Sequence, residues 1–238
     1  MIPKERVKMS NSVTEKSPLE HADFAGSPDL TNKGGVILRE ASSVRVESPL
    51  HHADFAGLAE LTNTGGVILR EVKFIGHVNL RGNANDPDFL NGVKKALDLD
   101  LPLVPCSSAQ NANTTIMWLS PDEWLVLVDG GTEAAIEDKL RQSLSGHFAV
   151  SDISGAQTML EISGEDCLQL LQKSISYDLH LHSFPINKVI GTALAKSAAH
   201  IRRTGEHEFQ LIIRRSFADY IWLWLQQSSK EYGLSVTL

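Results

Sequence analysis

The sequence predicts an α+β protein: two ferredoxin-like βαββαβ halves in tandem, preceded by an extended N-terminal arm. Three observations carry that prediction. Short apolar or alternating runs and runs of helical period follow one another in the order β-α-β-β-α-β. The same order then recurs. Ahead of both lies a polar segment that is present twice and holds too little apolar surface for a core of its own.

The duplicated segment comes first in the chain. "SPLEHADFAGSPDLTNKGGVILRE" occupies 17–40 and "SPLHHADFAGLAELTNTGGVILRE" occupies 48–71, identical at 19 of 24 positions. A solenoid needs about three or more units, and here two copies are followed by nothing similar. Each copy offers one short strand, "GGVILRE". Residues 1–65 are therefore expected to form an extended arm, and residues 66–238 the folded α+β domain.

From Val67 onward the elements follow in order. "VILREVKFIGHVNLRG" contains two strand-like runs. "NDPDFLNGVKKAL" is a helix with Asp86 as N-cap, Pro87 at the first helical position, and Phe89, Leu90, Val93 and Leu97 at helical spacing. "TTIMWLS" and "EWLVLV" are strands around the turn "SPDE". "GTEAAIEDKLRQSLSG" is a helix capped by Thr132 and ended by Gly146. "HFAVSDIS" is a strand, and the halves meet near Ser154–Gly155. The second half runs from the strand "QTMLEIS" to a helix opened by Ser163 with Asp166 three residues on, close to a capping box. "VIGTALA", "AHIRR" and "EFQLII" are strands, the last two joined by "TGEH". Ser216 caps the final helix, "SFADYIWLWLQQSSKEYG", and "LSVTL" closes the sheet.

Composition narrows the function. The 238 residues carry a formal charge of −7 and a pI near 5.7, which argues against general nucleic-acid binding. Two cysteines, Cys106 and Cys167, fit a reducing compartment. Cys167 falls inside an apolar helical pattern and reads as a buried thiol. The start, "MIPKERVKMSNSV", lacks the apolar centre of a signal peptide, and no run approaches the ~20 apolar residues of a span. The expectation is a cytoplasmic protein with no membrane and no nucleic-acid partner.

Candidate chemistry is sparse. Phosphate-cradle and nucleophile-elbow motifs are missing. The glycines of "VDGGT" read as turn and cap residues. His180 and His182 share a face if extended, as two metal ligands can, but no third ligand stands at a recognisable spacing. No catalytic, cofactor-binding or metal-binding residue is therefore expected. The arginine pairs Arg202–Arg203 and Arg214–Arg215 bracket the last hairpin. Because neighbours in a strand point to opposite faces, one member of each pair is expected outside and the other against a carboxylate. Around the last helix, Phe217, Tyr220, Ile221, Trp224 and Leu225 make one apolar face, with Trp222 pointing away and Leu223 on a flank. Two readings of Trp222 stand: burial under the arm or the other half, or contact with a partner subunit. The partner surface is expected at Trp222, Leu223, Arg214 and Arg215.

Several phrases carry a family resemblance. "GGVILREVKFIGHVNLRGNANDPDFLNGVKKALDLDLPLVP", "WLSPDEWLVL" and "RRTGEHEFQLIIRRSFADYIWLWL" resemble the gamma subunits of heterotetrameric sarcosine oxidases, from about Ser48 to Tyr232. The first copy of the repeat falls outside the resemblance, so a local tandem duplication accounts for it. The resemblance implies a structural subunit of an enzyme that demethylates sarcosine to glycine, producing hydrogen peroxide and methylenetetrahydrofolate. It implies alpha, beta and delta subunits as partners, alpha above all. FAD, FMN, NAD and zinc are expected in those subunits and no cofactor in this chain. A related N-methyl amino acid dehydrogenase would use an equivalent subunit.

"VSDISGAQTMLEISGEDCLQLLQKSISYDL" is similar to the glycine-cleavage T-protein, a folate-dependent aminomethyltransferase. That likeness leaves an independent folate-binding protein as a third reading. In that family an acidic pair precedes the turn matched by "RTGEHEF", and one acid serves folate chemistry. The corresponding stretch here, Ala198, Ala199 and His200 within "LAKSAAHIRR", holds no carboxylate. The resemblance thus implies a fold kept and an aminomethyl chemistry lost.

Overall fold

Alternation decides the side on which each strand buries. In β1 (Val67–Val72), Val67, Leu69 and Glu71 are buried, and Ile68 and Arg70 face out. The computed structural model describes residues 48–50 and 66–237. The expected arm, including the first copy of the repeat, lies outside the described residues except for Ser48–Leu50. Those three residues are buried, and Leu50 is fully enclosed in the core.

The strands form two sheets. β2 (Gly76–Arg81), β3 (Ser108–Gln110), β4 (Thr114–Ser120), β5 (Glu123–Val128) and β6 (Ala149–Asp152) make a five-stranded sheet of order β3-β4-β5-β2-β6. Numbered within this half, the four long strands read 2-3-1-4, all antiparallel, which is the ferredoxin-like order. β7 (Gln157–Ser163), β8 (Val189–Leu194), β9 (Ser197–Gly205), β10 (Glu208–Arg214) and β11 (Leu234–Thr237) join β1 in a six-stranded sheet of order β11-β1-β7-β10-β9-β8. β1 precedes the first half in sequence yet belongs to the second half's sheet. It pairs with β7 antiparallel and with β11 parallel. The halves do meet at the single turn Ser154–Ala156, but β1 ties them together across it.

Among the described residues four helices cover the sheets: α1 (Pro87–Leu97), α2 (Glu133–Ser143), α3 (Cys167–Gln172) and α4 (Ala218–Ser228). α1 and α2 pack on the five-stranded sheet through Phe89, Val93, Leu97 and Leu140 against Leu80, Trp124 and Val126. α3 and α4 pack on the six-stranded sheet through Leu170, Leu171, Ile221 and Leu225 against Leu69, Leu160 and Leu211. The remaining faces of the two sheets meet through Met117, Leu125 and Leu127 against Met159, Val189 and Ile212. The order of layers is helix, sheet, sheet, helix. α1 and α2 approach so closely that a Cβ on Gly92 would lie 2.5 Å from the Ser143 carbonyl oxygen.

Local signals held unevenly. Asp86 caps α1 by accepting from the Asp88 amide at 2.9 Å, with Pro87 in the first turn. At α2, Thr132 sits in the cap position, but its hydroxyl donates to the Asp129 carbonyl instead. The expected box at Ser163 does not form, since Ser163 ends β7 and α3 begins only at Cys167. Ser216 lies within a 3-10 turn, Arg215–Phe217, so α4 starts at Ala218 with Phe217 in the cap position.

Candidate functional site

The sheet-facing side of the six-stranded sheet carries a row of polar side chains around one buried arginine, while its helix side buries Glu71 with Ser48 and Thr158. Register sets its rows. Arg70, Glu161, Gln210 and Arg202 stand side by side on β1, β7, β10 and β9. Two residues further along come Met159, Ile212, His200 and Gly191; two further again come Gln157 and Arg214 on β7 and β10.

The first row is a continuous polar ladder. Arg202, 2% exposed, donates from Nε to Ser108 Oγ at 2.9 Å, from one Nη to Gln210 Oε1 at 3.2 Å, and from the other to Asn187 Oδ1 at 2.9 Å and Gln110 Oε1. Gln210 passes the link on, donating to Glu161 at 3.1 Å, and Glu161 pairs with Arg70. Among the described residues the buried guanidinium thus has neutral oxygens in direct contact and is linked to a carboxylate through Gln210. Burial holds its pKa below the usual arginine range.

This corrects the expected arrangement of the arginine pairs. Arg214 is exposed and Arg215 is 8% exposed, as alternation predicts. Arg202 and Arg203 are instead both buried, because both faces of β9 are covered. Arg203 lies on the helix side, 5.1 Å from the Phe209 ring. It donates to the carbonyls of Leu179 at 2.9 Å, Phe184 at 3.1 Å and Gly205 at 3.0 Å, and to that of Glu206. Backbone oxygens replace the expected carboxylate because 179–184 and the β9–β10 turn fold around the guanidinium. The signal for Arg202's partners was Gln210, a lone amide inside the apolar run "EFQLII".

A cleft of about 490 Å³ lies beside the ladder, lined by Arg202, Gln110, Gln210 and the acids Glu161 and Glu208, and the far end of the same face is open as well. There a second cleft of about 490 Å³ lies over β8, β9 and β10. Gly191, Ala193 and Ala198 leave its floor low, and Lys196, His200 and Arg214 stand around it. Ala198–His200, the stretch the T-protein likeness points to, thus lines a cleft without a carboxylate among its lining residues. His200 Nδ1 and Gln157 Oε1 are buried in its wall with no hydrogen-bond partner among the described residues. Burial lowers the His200 pKa, opposed by the charge of Glu123.

Of the four expected interface residues, the structure exposes two. Leu223 is 62% exposed and Arg214 is exposed. Trp222, at 5%, belongs to the core around Leu50. The buried stripe of α4 is Ala218, Ile221, Trp222 and Leu225, an i, i+3, i+4, i+7 pattern. The wheel drawn from the sequence was turned because Phe217 was counted in the stripe and Ala218 was not; Phe217 is 41% exposed.

The remaining candidates are structural. Cys167 is fully buried and its thiol is pushed up to about 11 by desolvation, so it is not a thiolate at neutral pH. The Gly131 amide donates to Glu133 at 3.0 Å within its turn. Among the described residues no group of three His, Cys, Asp or Glu side chains is placed to hold a metal ion. His77, which sequence reasoning passed over, is 1% exposed at the junction of the sheets, and among the described residues neither ring nitrogen completes a well-formed hydrogen bond, the Ile75 backbone being beside the ring. Desolvation lowers its pKa to about 4.

Comparison with known proteins gives this geometry its relatives. A family profile described as "Sarcosine oxidase, gamma subunit family" matches residues 81–231. Sarcosine oxidase subunit gamma of Corynebacterium sp. (strain P-1) is 35% identical over 121 residues, 50% of this chain and 59% of the relative. The same subunit of Corynebacterium sp. (strain U-96) is 31% identical over 123 residues, 51% of this chain and 59% of the relative. The chain thus spans 59% of the length of the curated relatives it matches. A chain of heterotetrameric sarcosine oxidase from Corynebacterium sp. U-96, solved with pyrrole 2-carboxylate, superposes with a TM-score of 0.72 at 29% identity, covering 79% of this chain and 96% of that one. Aminomethyltransferase T of the glycine cleavage system from Bartonella henselae shares the fold at a TM-score of 0.55 and 13% identity, over 77% of this chain and 50% of that one. With the profile spanning β2-end to α4 and the superposition spanning both sheets, the chain belongs to the sarcosine oxidase gamma subunit family.

Proposed function

We propose that the chain is the non-catalytic gamma-type subunit of a heterotetrameric sarcosine oxidase, which oxidatively demethylates sarcosine to glycine with release of hydrogen peroxide and formation of methylenetetrahydrofolate. The observation that carries this reading is the superposition on a chain of such a complex, covering 96% of that chain. In this account FAD, FMN, NAD and zinc reside in the alpha, beta and delta subunits, and the complex works in the cytoplasm. No helix among the described residues is long and apolar enough to cross a membrane.

The chemistry of the chain agrees with a supporting role. The Ala198–His200 stretch offers no acid to move a proton or steady a developing cation. The folded unit puts its polar side chains to work on one another, through Arg202, Gln210 and Glu161. The proposed partner surface is Leu223 and Arg214, held in place by the buried Trp222 and Arg215 behind them, with the alpha subunit as the main contact. Purification of the chain alone and with its co-expressed neighbours tests the proposal. Oxidase activity and flavin should appear only with the neighbours; either one in the isolated chain contradicts it.

A further inference from the structure

We propose that the cleft over Ala198 is the socket for an acidic segment of a partner subunit, whose carboxylate seats between Arg214 and Lys196. This rests on the subunit reading above and names the chemistry of one contact within it.

Charge is the first argument. The chain carries 29 acidic and 22 basic residues, yet none of the residues lining this cleft is acidic. The side chains of Arg214 and Lys196 form neither an ion pair nor a hydrogen bond among the described residues. Two unpaired cations beside a concave, partly desolvated wall attract an anion. The guanidinium fork of Arg214 suits a carboxylate in particular. Among the described residues the carboxylate whose charge acts on His200 is Glu123, which belongs to the other sheet and accepts from Asn79 at 2.7 Å.

Shape is the second argument. Gly191, Ala193 and Ala198 remove side-chain volume from one patch of the sheet and leave about 490 Å³ open. That exceeds what one carboxylate needs and accommodates a short stretch of chain. The floor is a sheet face open to solvent, whereas sites for small molecules enclose most of the ligand. The third argument is incompleteness. Among the described residues, Gln157 Oε1 and His200 Nδ1 are buried without partners in the wall, and folded chains seldom leave such atoms unpaired.

Carbodiimide cross-linking of the co-purified complex, followed by peptide mass mapping, tests the socket directly. The expected product joins Lys196 to an Asp or Glu of a partner chain. In parallel, the double reversal Lys196→Glu/Arg214→Glu should lower recovery of partner subunits roughly ten-fold at physiological ionic strength. Lys139→Glu, a reversal on α2, should leave recovery unchanged, and thermal melts of the isolated variants verify folding. Cross-links confined to this chain, with unaltered recovery of the double variant, overturn the proposal and leave the subunit reading standing. Titration of glutarate into the isolated chain separates the other source of carboxylate. Micromolar binding abolished by the double reversal, with recovery intact, assigns the cleft to a small ligand and also overturns it. If the unmodified chain recovers no partner at all, the subunit reading itself fails.

Discussion

The two ends of one sheet face treat their arginines in opposite ways. At one end Arg202 is buried, and neutral side-chain oxygens surround it from β3, β10 and the loop before β8. At the other end Arg214 is exposed and, among the described residues, makes no ion pair beside a cleft without acids in its lining. The same residue type, two β10 steps of the pleat apart in register, is an internal strut in one place and an unfilled valence in the other. Burying a cation is tolerable only when its donors are occupied. A cation left unoccupied at the rim of a concavity has a partner outside the chain as its natural complement. α4 repeats the contrast on a smaller scale, with Trp222 in the core and its neighbour Leu223 in solvent.

Removing the inward members should cost stability, and removing the outward ones should not. Trp222→Ala is the largest case, destabilising the isolated chain by about 4 kcal/mol in a denaturant titration, since it empties the volume of a buried indole. A loss below about 1 kcal/mol would show that α4 is not anchored there. Arg202→Ala follows at about 3 kcal/mol, because it strips the donor from four oxygens at once. For a chain of this size that lowers Tm by about 6–12 °C. Arg214→Ala should shift stability by less than about 0.5 kcal/mol. Equal effects at the two arginines would erase the contrast.

His77 gives the pH version of the same test. Its folded pKa of about 4 lies below the ordinary 6.5, with Asp152 the nearby charge that partly offsets burial. The unfolded chain therefore takes up the proton first as pH falls. Stability is full above about pH 7 and declines through the window from 6.5 towards 4, by about 2 kcal/mol at pH 5. His77→Leu should flatten that part of the stability profile while leaving the plateau near neutral pH intact. The smallest effect belongs to Leu223→Ser, within about 0.5 kcal/mol on the isolated chain, with partner recovery as the readout that moves.

Much of this was legible in the sequence, and the failures have physical causes. The repeated α+β order, the cap at Asp86 and the burial of Cys167 followed from local chemistry. The placement of β1 did not, since alternation in "VILREV" says which side of a strand is buried but not which sheet receives it. The caps at Ser163 and Ser216 failed because tertiary packing gave those residues to a strand and to a 3-10 turn. Trp222 was aimed outward by a wheel that counted Phe217 in the apolar stripe and left out Ala218; of the two readings given for it, burial is the one that holds, in the core that includes Leu50. The arginine environment was the least legible of all. Ser108, Gln110, Asn187 and Gln210 come from distant parts of the chain, and only the sheet register brings them round Arg202. The open cleft was foreshadowed only as a missing acid at Ala198–His200; that three small residues would leave a hollow there required the pairing of β8 with β9.

The central claim is that the Arg214 end of this face is completed by another chain and the Arg202 end by this one. Amide hydrogen exchange of the isolated chain and of the assembled complex measures that difference directly. The account predicts new protection on assembly in the β8–β9 turn around Lys196 and at the start of α4, with exchange in β9 and β10 around Arg202 and Gln210 unchanged. Protection that appears around Arg202, or none at the β8–β9 turn, would contradict it.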